Sequence, residues 1–188
     1  MTLYHGSYTA VEKPDLSFPQ IRDKTDFGKG FYLTPFREQA ERFCKRFIKK
    51  NGSAVVSSYE FLPELDETIP REIEALKFIP HDENWENYII QLGVIVTTLE
   101  FKSYNEEWLK FIVDCRAGKR VDMEWDLIIG GVANDDVFDT LQLYTANLIS
   151  VAEVIRRFQY HKPNIQYCFK TQSVIDDYLH FTGSEVSR

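Results

Sequence analysis

The sequence predicts a single α+β domain, and three observations support that prediction. The chain has 188 residues, of which 44% are hydrophobic and 14% aromatic, which is enough to build one buried core. Some short segments are rich in strand-forming residues, whereas others carry an apolar face at helical spacing. The two kinds of segment do not alternate regularly, so a doubly wound parallel sheet is not expected.

A turn with two glycines, within residues 26–34, organises the rest of the chain. Gly28 and Gly30 lack a Cβ, so the backbone there can turn sharply or approach a ligand closely. The aromatic residues that follow predict a short strand, and Thr34 is a suitable helix cap. A dinucleotide-binding fingerprint would need the strand before the glycines, and a phosphate loop would need Ser or Thr after the lysine. The segment is therefore either a structural turn or one wall of a pocket beside Tyr32.

The other elements follow from the same patterns. Strands are predicted at 3–7, 54–61, 125–129 and 164–170. Helices are predicted at 35–50 and behind start signals near residues 105, 135, 150 and 171. Phe43 is placed on the inner, apolar face of the first of these helices, whose outer face is basic. The domain is expected to span 1–181, with 62–98 as an insertion or variable region and 182–188 as a flexible tail.

Composition and spacing exclude several classes of protein. The net charge of −7 disfavours non-specific binding to nucleic acid. No apolar run approaches the roughly 18 residues that a membrane span needs, and the N-terminus has no secretion-signal pattern. Cys44, Cys115 and Cys168 lie far apart, which favours reduced thiols in a cytoplasmic protein. The four histidines show no metal-ligand spacing, so no metal site is expected.

Three segments together resemble the ADP-ribosyltransferase superfamily. They are His5–Ser7 on the first strand, Phe27–Tyr32 before the first helix, and Gln166 on a late strand. The resemblance is to the branch that contains diphtheria toxin and the poly(ADP-ribose) polymerases, which is named for a His, a Tyr and a Glu. The whole chain is similar to a bacterial family in that branch, long catalogued as a domain of unknown function and often encoded beside small antitoxin-like genes.

The resemblance implies a split β-sandwich with peripheral helices that binds NAD as a co-substrate and uses no metal. It implies that His5 bonds a ribose hydroxyl, that the Gly6 backbone holds the nicotinamide amide, and that Tyr32 and Phe43 stack on the nicotinamide ring. It also implies a catalytic set of His5, Tyr32 and Gln166. The implied NAD-contacting residues are His5, Gly6, Ser7, Phe27, Gly28, Tyr32, Phe43 and Gln166.

The resemblance implies that Gln166 occupies the position at which the superfamily usually carries Glu. The usual Glu accepts a hydrogen bond from the ribose 2′-hydroxyl and stabilises the positive charge of an oxocarbenium-like transition state. Gln accepts the same bond but is neutral. Losing a preorganised stabilising partner typically costs about 2.7–4 kcal/mol of transition-state stabilisation. The resemblance therefore implies a mono-ADP-ribosyltransferase rather than a polymer-forming enzyme.

Three interpretations stay open at the level of sequence. The first is a mono-ADP-ribosyltransferase, the toxin of a bacterial toxin–antitoxin pair, with a protein acceptor favoured over nucleic acid and an antitoxin protein as partner. The second is a weak or inactive module of the same fold that binds NAD, ADP-ribose or a partner protein. The third is an α+β domain whose glycine turn is only structural. If Gln166 is not the third catalytic position, the next carboxylates to consider are Asp126, Asp135 and Asp136.

Overall fold

A computed structural model describes residues 1–19, 21–61, 73–79, 96–103, 106–119, 125–131, 135–157 and 165–187. Within those residues the chain forms eight strands and six helices. In chain order they are β1 (Thr2–Ser7), β2 (Phe31–Leu33), α1 (Arg37–Lys45), α2 (Ile48–Asn51), β3 (Val55–Phe61), β4 (Ile73–Ile79), β5 (Val96–Ser103), α3 (Glu106–Arg116), β6 (Leu127–Gly131), α4 (Asp135–Thr145), α5 (Val151–Arg157), β7 (Ile165–Phe169), α6 (Gln172–Tyr178) and β8 (Leu179–Val186). This mixture confirms the α+β class. None of the described helices is long and apolar enough to cross a membrane.

The strands form two sheets rather than one. The first is antiparallel and has the order β1-β3-β8. The second has the order β2-β7-β6-β4-β5, in which β7 is antiparallel to both of its neighbours and β4 is parallel to both of its own. The mixed order explains why the sequence shows no regular strand–helix alternation.

The two sheets are joined where β1 meets the end of β2. Phe31–Leu33 pairs with β7, but the next residue, Thr34, forms an isolated antiparallel bridge with Tyr4 of β1. The Tyr4 N–H donates to the Thr34 carbonyl at 2.8 Å, and the Thr34 N–H donates to the Tyr4 carbonyl at 2.9 Å. Beyond this bridge β1 and β2 separate, on the side of His5 and Gly6.

Buried side chains pack on both faces of the five-stranded sheet. One cluster takes residues from both sheets and fills the space between them; it includes Leu3, Phe31, Leu33, Tyr59, Phe61, Tyr167 and Phe169. A second cluster lies on the opposite face under α3 and α5; it includes Phe27, Trp108, Leu109, Ile112, Ile128, Val154 and Cys168. Alternate residues of β7 therefore enter different clusters, as strand geometry requires. The three cysteines are buried and form no disulfide, as predicted.

The first helix differs from its prediction in length and in orientation. The predicted helix at 35–50 is divided into α1 and α2, and its buried residues are Ala40 and Cys44. The placement of Phe43 on the inner face is wrong, because its side chain is 45% exposed. The reason lies in β1: a Cβ on Gly6 would sit 2.3 Å from the Ala40 carbonyl oxygen, so α1 approaches too closely for an aromatic side chain to fit between them.

The C-terminus also differs from its prediction. The segment predicted as a flexible tail at 182–188 belongs instead to β8 as far as Val186. β8 pairs with β3 from Phe61 opposite Leu179 to Val55 opposite Val186. Most residues of β8 are exposed, so backbone hydrogen bonds rather than apolar packing hold the strand in place. Residues 73–79 of the predicted insertion form β4 inside the larger sheet; the rest of that region up to residue 95 lies outside the described residues.

Candidate functional site

His5 holds β1 and β2 apart at the point where the sheets separate. The register that pairs Tyr4 with Thr34 would, two residues further on, pair Gly6 with Tyr32. Instead, the Nδ1–H of His5 donates to the Tyr32 carbonyl at 2.8 Å. The imidazole therefore takes the place at this carbonyl that the Gly6 N–H would fill in a continued ladder.

As a consequence, the backbone of Gly6 faces the gap between the strands. In an antiparallel pair, successive residues direct their backbone groups to alternate neighbours. Tyr4 directs its N–H and C=O toward β2, so Gly6 directs its own the same way. The site thus offers a backbone donor and a backbone acceptor side by side, at the edge where the two sheets part.

The hydrogen bond to Tyr32 also defines the chemistry of the His5 ring. Because a carbonyl only accepts, Nδ1 carries the proton, and in the neutral ring Nε2 is an acceptor. Burial lowers the pKa of His5 from its ordinary 6.5, and the bond to the Tyr32 carbonyl only partly offsets this effect. The ring packs against Phe31 with centroids 4.6 Å apart. At neutral pH His5 therefore presents an uncharged acceptor at Nε2.

Tyr32 uses its hydroxyl to close the glycine turn. The hydroxyl donates to the Gly28 carbonyl at 2.7 Å, accepts from the Phe27 N–H at 3.0 Å and lies 2.7 Å from the Thr25 hydroxyl. Gly28 has φ of 72°, which a residue with a Cβ rarely adopts. Burial raises the pKa of Tyr32 well above its usual value, so the phenol stays protonated. The hydroxyl is therefore used within the turn, and the partly exposed ring packs against the second core cluster.

Gln166 lies on β7, on the same side as Tyr32. Tyr32 pairs with Cys168 of β7. Gln166 lies two residues before Cys168 on the same face of β7, so the Cα atoms of Gln166 and Cys168 are roughly 6–7 Å apart. Its side-chain Nε2 donates to Asp26 Oδ2 at 2.9 Å and to the Gly131 carbonyl at 3.3 Å. Since both of these partners are acceptors, the amide orientation is determined, and Oε1 is the oxygen left for another donor.

Asp26 is a functional candidate that sequence reasoning missed. Its side chain is buried, and Oδ1 accepts from Arg116 Nε at 2.7 Å and lies 2.6 Å from Arg116 Nη2. The other oxygen accepts from Gln166. The three residues are far apart in the chain, so only the fold brings them together. The one signal in the sequence was an acidic residue at the start of the glycine turn.

Phe27 and Gly28 of the glycine turn contact Tyr32 and fix its position. Phe27 is fully buried between Tyr32 and Phe111, with ring centroids at 6.5 and 6.3 Å. Its carbonyl accepts from the ammonium of Lys170, itself buried, at 2.7 Å. Phe27 and Gly28 therefore hold Tyr32 in place through core packing and backbone bonds.

The remaining predicted residues lie elsewhere. Ser7 is the last residue of β1 and pairs with Val55. Phe43, on the exposed side of α1, carries the Arg46 guanidinium 3.3 Å from its ring centroid. Asp126 accepts a hydrogen bond from the Thr171 hydroxyl at 2.7 Å. The side chains at 135 and 136 lie outside the described residues.

Comparison with known proteins connects the chain to one family. A family described as "Protein of unknown function (DUF3990)" matches residues 1–96 and 92–181. Curated proteins and solved structures gave no match. Because the two matched segments cover most of the chain, the protein belongs to the DUF3990 family.

Proposed function

We propose that this protein is a mono-ADP-ribosyltransferase, which transfers ADP-ribose from NAD to a macromolecular acceptor. One observation carries the proposal: His5 donates to the Tyr32 carbonyl, which leaves the Gly6 N–H and C=O directed to the gap between β1 and β2. A nicotinamide carboxamide offers the complementary acceptor and donor, and its flat ring suits stacking on an aromatic face. This is the arrangement that the superfamily resemblance implies for NAD.

The two side-chain acceptors extend the fit to the ribose groups. With His5 Nδ1 and Gln166 Nε2 used as donors, His5 Nε2 and Gln166 Oε1 can each accept a hydrogen bond from a ribose hydroxyl. Phe31 and Tyr32 are consecutive on β2, so their rings lie on opposite faces, and the His5 ring is on the Phe31 side. A ligand that contacts both His5 and Tyr32 must therefore pass across the end of β2, where the sheets part.

The chemistry that this site would carry out is a displacement at the ribose. The bond between nicotinamide and C1 of the ribose breaks, and its electron pair leaves with the nicotinamide, which becomes neutral. The acceptor bonds to the same carbon and releases a proton. Positive charge develops on the ribose in between, so an acceptor oxygen at the 2′-hydroxyl, such as Gln166 Oε1, stabilises the transition state.

We further infer a biological role as the toxin of a toxin–antitoxin pair, with a protein antitoxin as partner. The support is the family resemblance, because its members are often encoded beside antitoxin-like genes. The net charge of −7 favours a protein acceptor. Nucleic acid is the alternative acceptor, and what favours it is the set of exposed cations on α1 and α2, which includes Arg42, Lys45, Lys49 and Lys50.

Release of free nicotinamide from NAD by the purified protein tests the proposal. The matched variants are His5→Asn, whose amide can still donate to the Tyr32 carbonyl but has no atom at Nε2, and His5→Ala, which removes both groups. We expect the parent to release nicotinamide and both variants to release much less. A parent that binds NAD in calorimetry without releasing nicotinamide would instead favour an inactive NAD-binding module of the same fold.

The acceptor is tested in cells that express the protein. We expect mass spectrometry to find ADP-ribose on protein and expression to slow growth, with Gln166→Ala removing both effects. ADP-ribose on nucleic acid alone would replace the protein acceptor with the alternative. Normal growth together with unmodified macromolecules would contradict the toxin role.

A further inference from the structure

We infer that Asp26 is a positioning residue for catalysis: it orients the Gln166 amide so that Oε1 faces the ribose, and it polarises that amide. The inference rests on the proposed function, because the ribose belongs to NAD. It goes beyond the superfamily resemblance, which assigns no role to Asp26 or to Arg116.

The orientation of the Gln166 amide decides which of its atoms meets the ribose. A Gln amide can present either an oxygen or an NH₂ group to a ligand, and only the oxygen can accept from the 2′-hydroxyl. Here Nε2 lies between Asp26 Oδ2 at 2.9 Å and the Gly131 carbonyl at 3.3 Å. Turning the amide over would set an oxygen against two acceptors. Asp26 and Gly131 therefore hold the useful orientation before any ligand binds.

Asp26 also brings a negative charge close to the Gln166 amide. Arg116 binds Asp26 through Oδ1, and Gln166 binds through Oδ2, so the three side chains are in series. The negative end of the Arg116–Asp26 ion pair faces the Gln166 amide. Asp26 is only 6% exposed and Gln166 only 8%, so water screens this field weakly. A hydrogen bond to a carboxylate makes the amide oxygen a stronger acceptor, which partly replaces the charge of the usual Glu.

The test exchanges the carboxylate at position 26 with the amide at position 166. Asp26→Asn with Gln166→Glu restores an amide–carboxylate hydrogen bond with the carboxylate moved to β7. Asp26→Asn alone leaves two amides. Gln166→Glu alone sets two carboxylates at hydrogen-bond distance, so one of them must bind a proton. Asp26 keeps its ion pair with Arg116 in this variant, so we expect the proton on the introduced glutamate.

Nicotinamide release is the first readout. We expect Asp26→Asn to lower kcat about 10-fold or more while the KM for NAD changes less, because the interaction strengthens as the oxocarbenium forms. The double variant should regain most of that loss. Glu185→Gln is the matched control, since it also removes a carboxylate from an arginine, at an exposed pair with Arg37. An unchanged kcat in Asp26→Asn would overturn the inference.

Stability against pH is the second readout and needs no activity. In Gln166→Glu, the Asp26 charge raises the pKa of the introduced group above the unfolded value of about 4.3. The stabilisation that this protonated group contributes is then fully present below about pH 4 and is lost as pH rises through the raised pKa. We expect the urea midpoint of this variant to fall between pH 4 and 8, relative to the double variant. Equal midpoints at every pH would overturn the pairing of Asp26 with Gln166.

The two readouts separate this inference from the proposed function. A parent that releases no nicotinamide overturns the proposed function and, with it, the catalytic role of Asp26, while the pH series still decides whether the pairing exists. A parent that is active with an unaffected Asp26→Asn variant leaves the proposed function standing and overturns the inference alone.

Discussion

At the scale of single residues, the site depends on side chains that replace backbone partners. His5 takes the carbonyl that Gly6 would have paired with, and Tyr32 uses its hydroxyl to bind the backbone of the glycine turn. The His5 bond leaves the Gly6 N–H and C=O directed to the gap between the sheets, whereas the Tyr32 hydroxyl satisfies two backbone groups of the turn. The residues that look polar and catalytic in the sequence are therefore also structural, and a test of either role must separate the two.

The pH dependence of stability isolates His5. Burial lowers its pKa in the folded protein below 6.5, so the unfolded chain binds a proton first as pH falls. The part of the unfolding free energy that depends on uncharged His5 is fully present above about pH 6.5 and is lost as pH falls through the lowered pKa. We expect His5→Asn to abolish this part of the loss when urea midpoints are measured from pH 8 to pH 5. Parallel curves for parent and variant would contradict the lowered pKa.

Tyr32→Phe separates the ring of Tyr32 from its hydroxyl. The change leaves the Phe27 N–H and the Gly28 carbonyl without that partner, which should cost about 1–3 kcal/mol of unfolding free energy. The ring is retained, so NAD affinity per folded molecule should change little, whereas Tyr32→Ala should lose both stability and affinity. Tyr8→Phe, at an exposed tyrosine, is the control for removing a hydroxyl. Urea unfolding and calorimetry measure the two effects separately.

At the scale of elements, the sequence predicted the buried strands better than the edges. β3 and β7 lie within a residue or two of their predicted bounds, because their apolar residues mark them. β8 was missed because seven of its eight residues are at least partly exposed and leave no apolar pattern. The orientation of α1 was missed because it depends on the close approach at Gly6, a contact between segments that no local pattern contains.

Removing residues 182–188 tests the assignment of β8. The deletion takes away four pairings of β3 with β8, which are Val55 with Val186, Val56 with Glu185, Ser57 with Ser184 and Ser58 with Gly183. We expect the urea midpoint to fall, by roughly 1 kcal/mol of unfolding free energy for each ladder hydrogen bond lost. Glu185→Gln is the control, since it removes only the exposed ion pair, which is worth about 0–1 kcal/mol. An unchanged midpoint in the deletion would restore the original interpretation of a flexible tail.

At the scale of the whole molecule, the candidate site was predictable in part. The resemblance pointed to His5, Gly6, Tyr32 and Gln166. The structure shows His5 bonded to the Tyr32 carbonyl and Gln166 two residues from Cys168, the partner of Tyr32 on β7, whereas the role of these residues stays a prediction. The Asp26 contact was not predictable, because it joins a turn to a strand 140 residues away. Local sequence patterns predict individual strands and helices. A contact between residues 140 positions apart depends on the folded structure, and no local pattern contains it.

The position of the site between two sheets leads to a prediction for the whole chain. His5 and Gly6 belong to the three-stranded sheet, while Tyr32 and Gln166 belong to the five-stranded one, so NAD bound to all four would connect the sheets. A ligand that binds only the folded state stabilises it, by about 2.7 kcal/mol at 100 times its Kd. We expect NAD to raise the Tm of the parent in a dose-dependent way. The rise should be smaller in His5→Asn and Tyr32→Ala alike, because each removes the contact on one sheet, whereas Glu185→Gln should behave as the parent. A rise that survives in both site variants would place the NAD site elsewhere on the molecule.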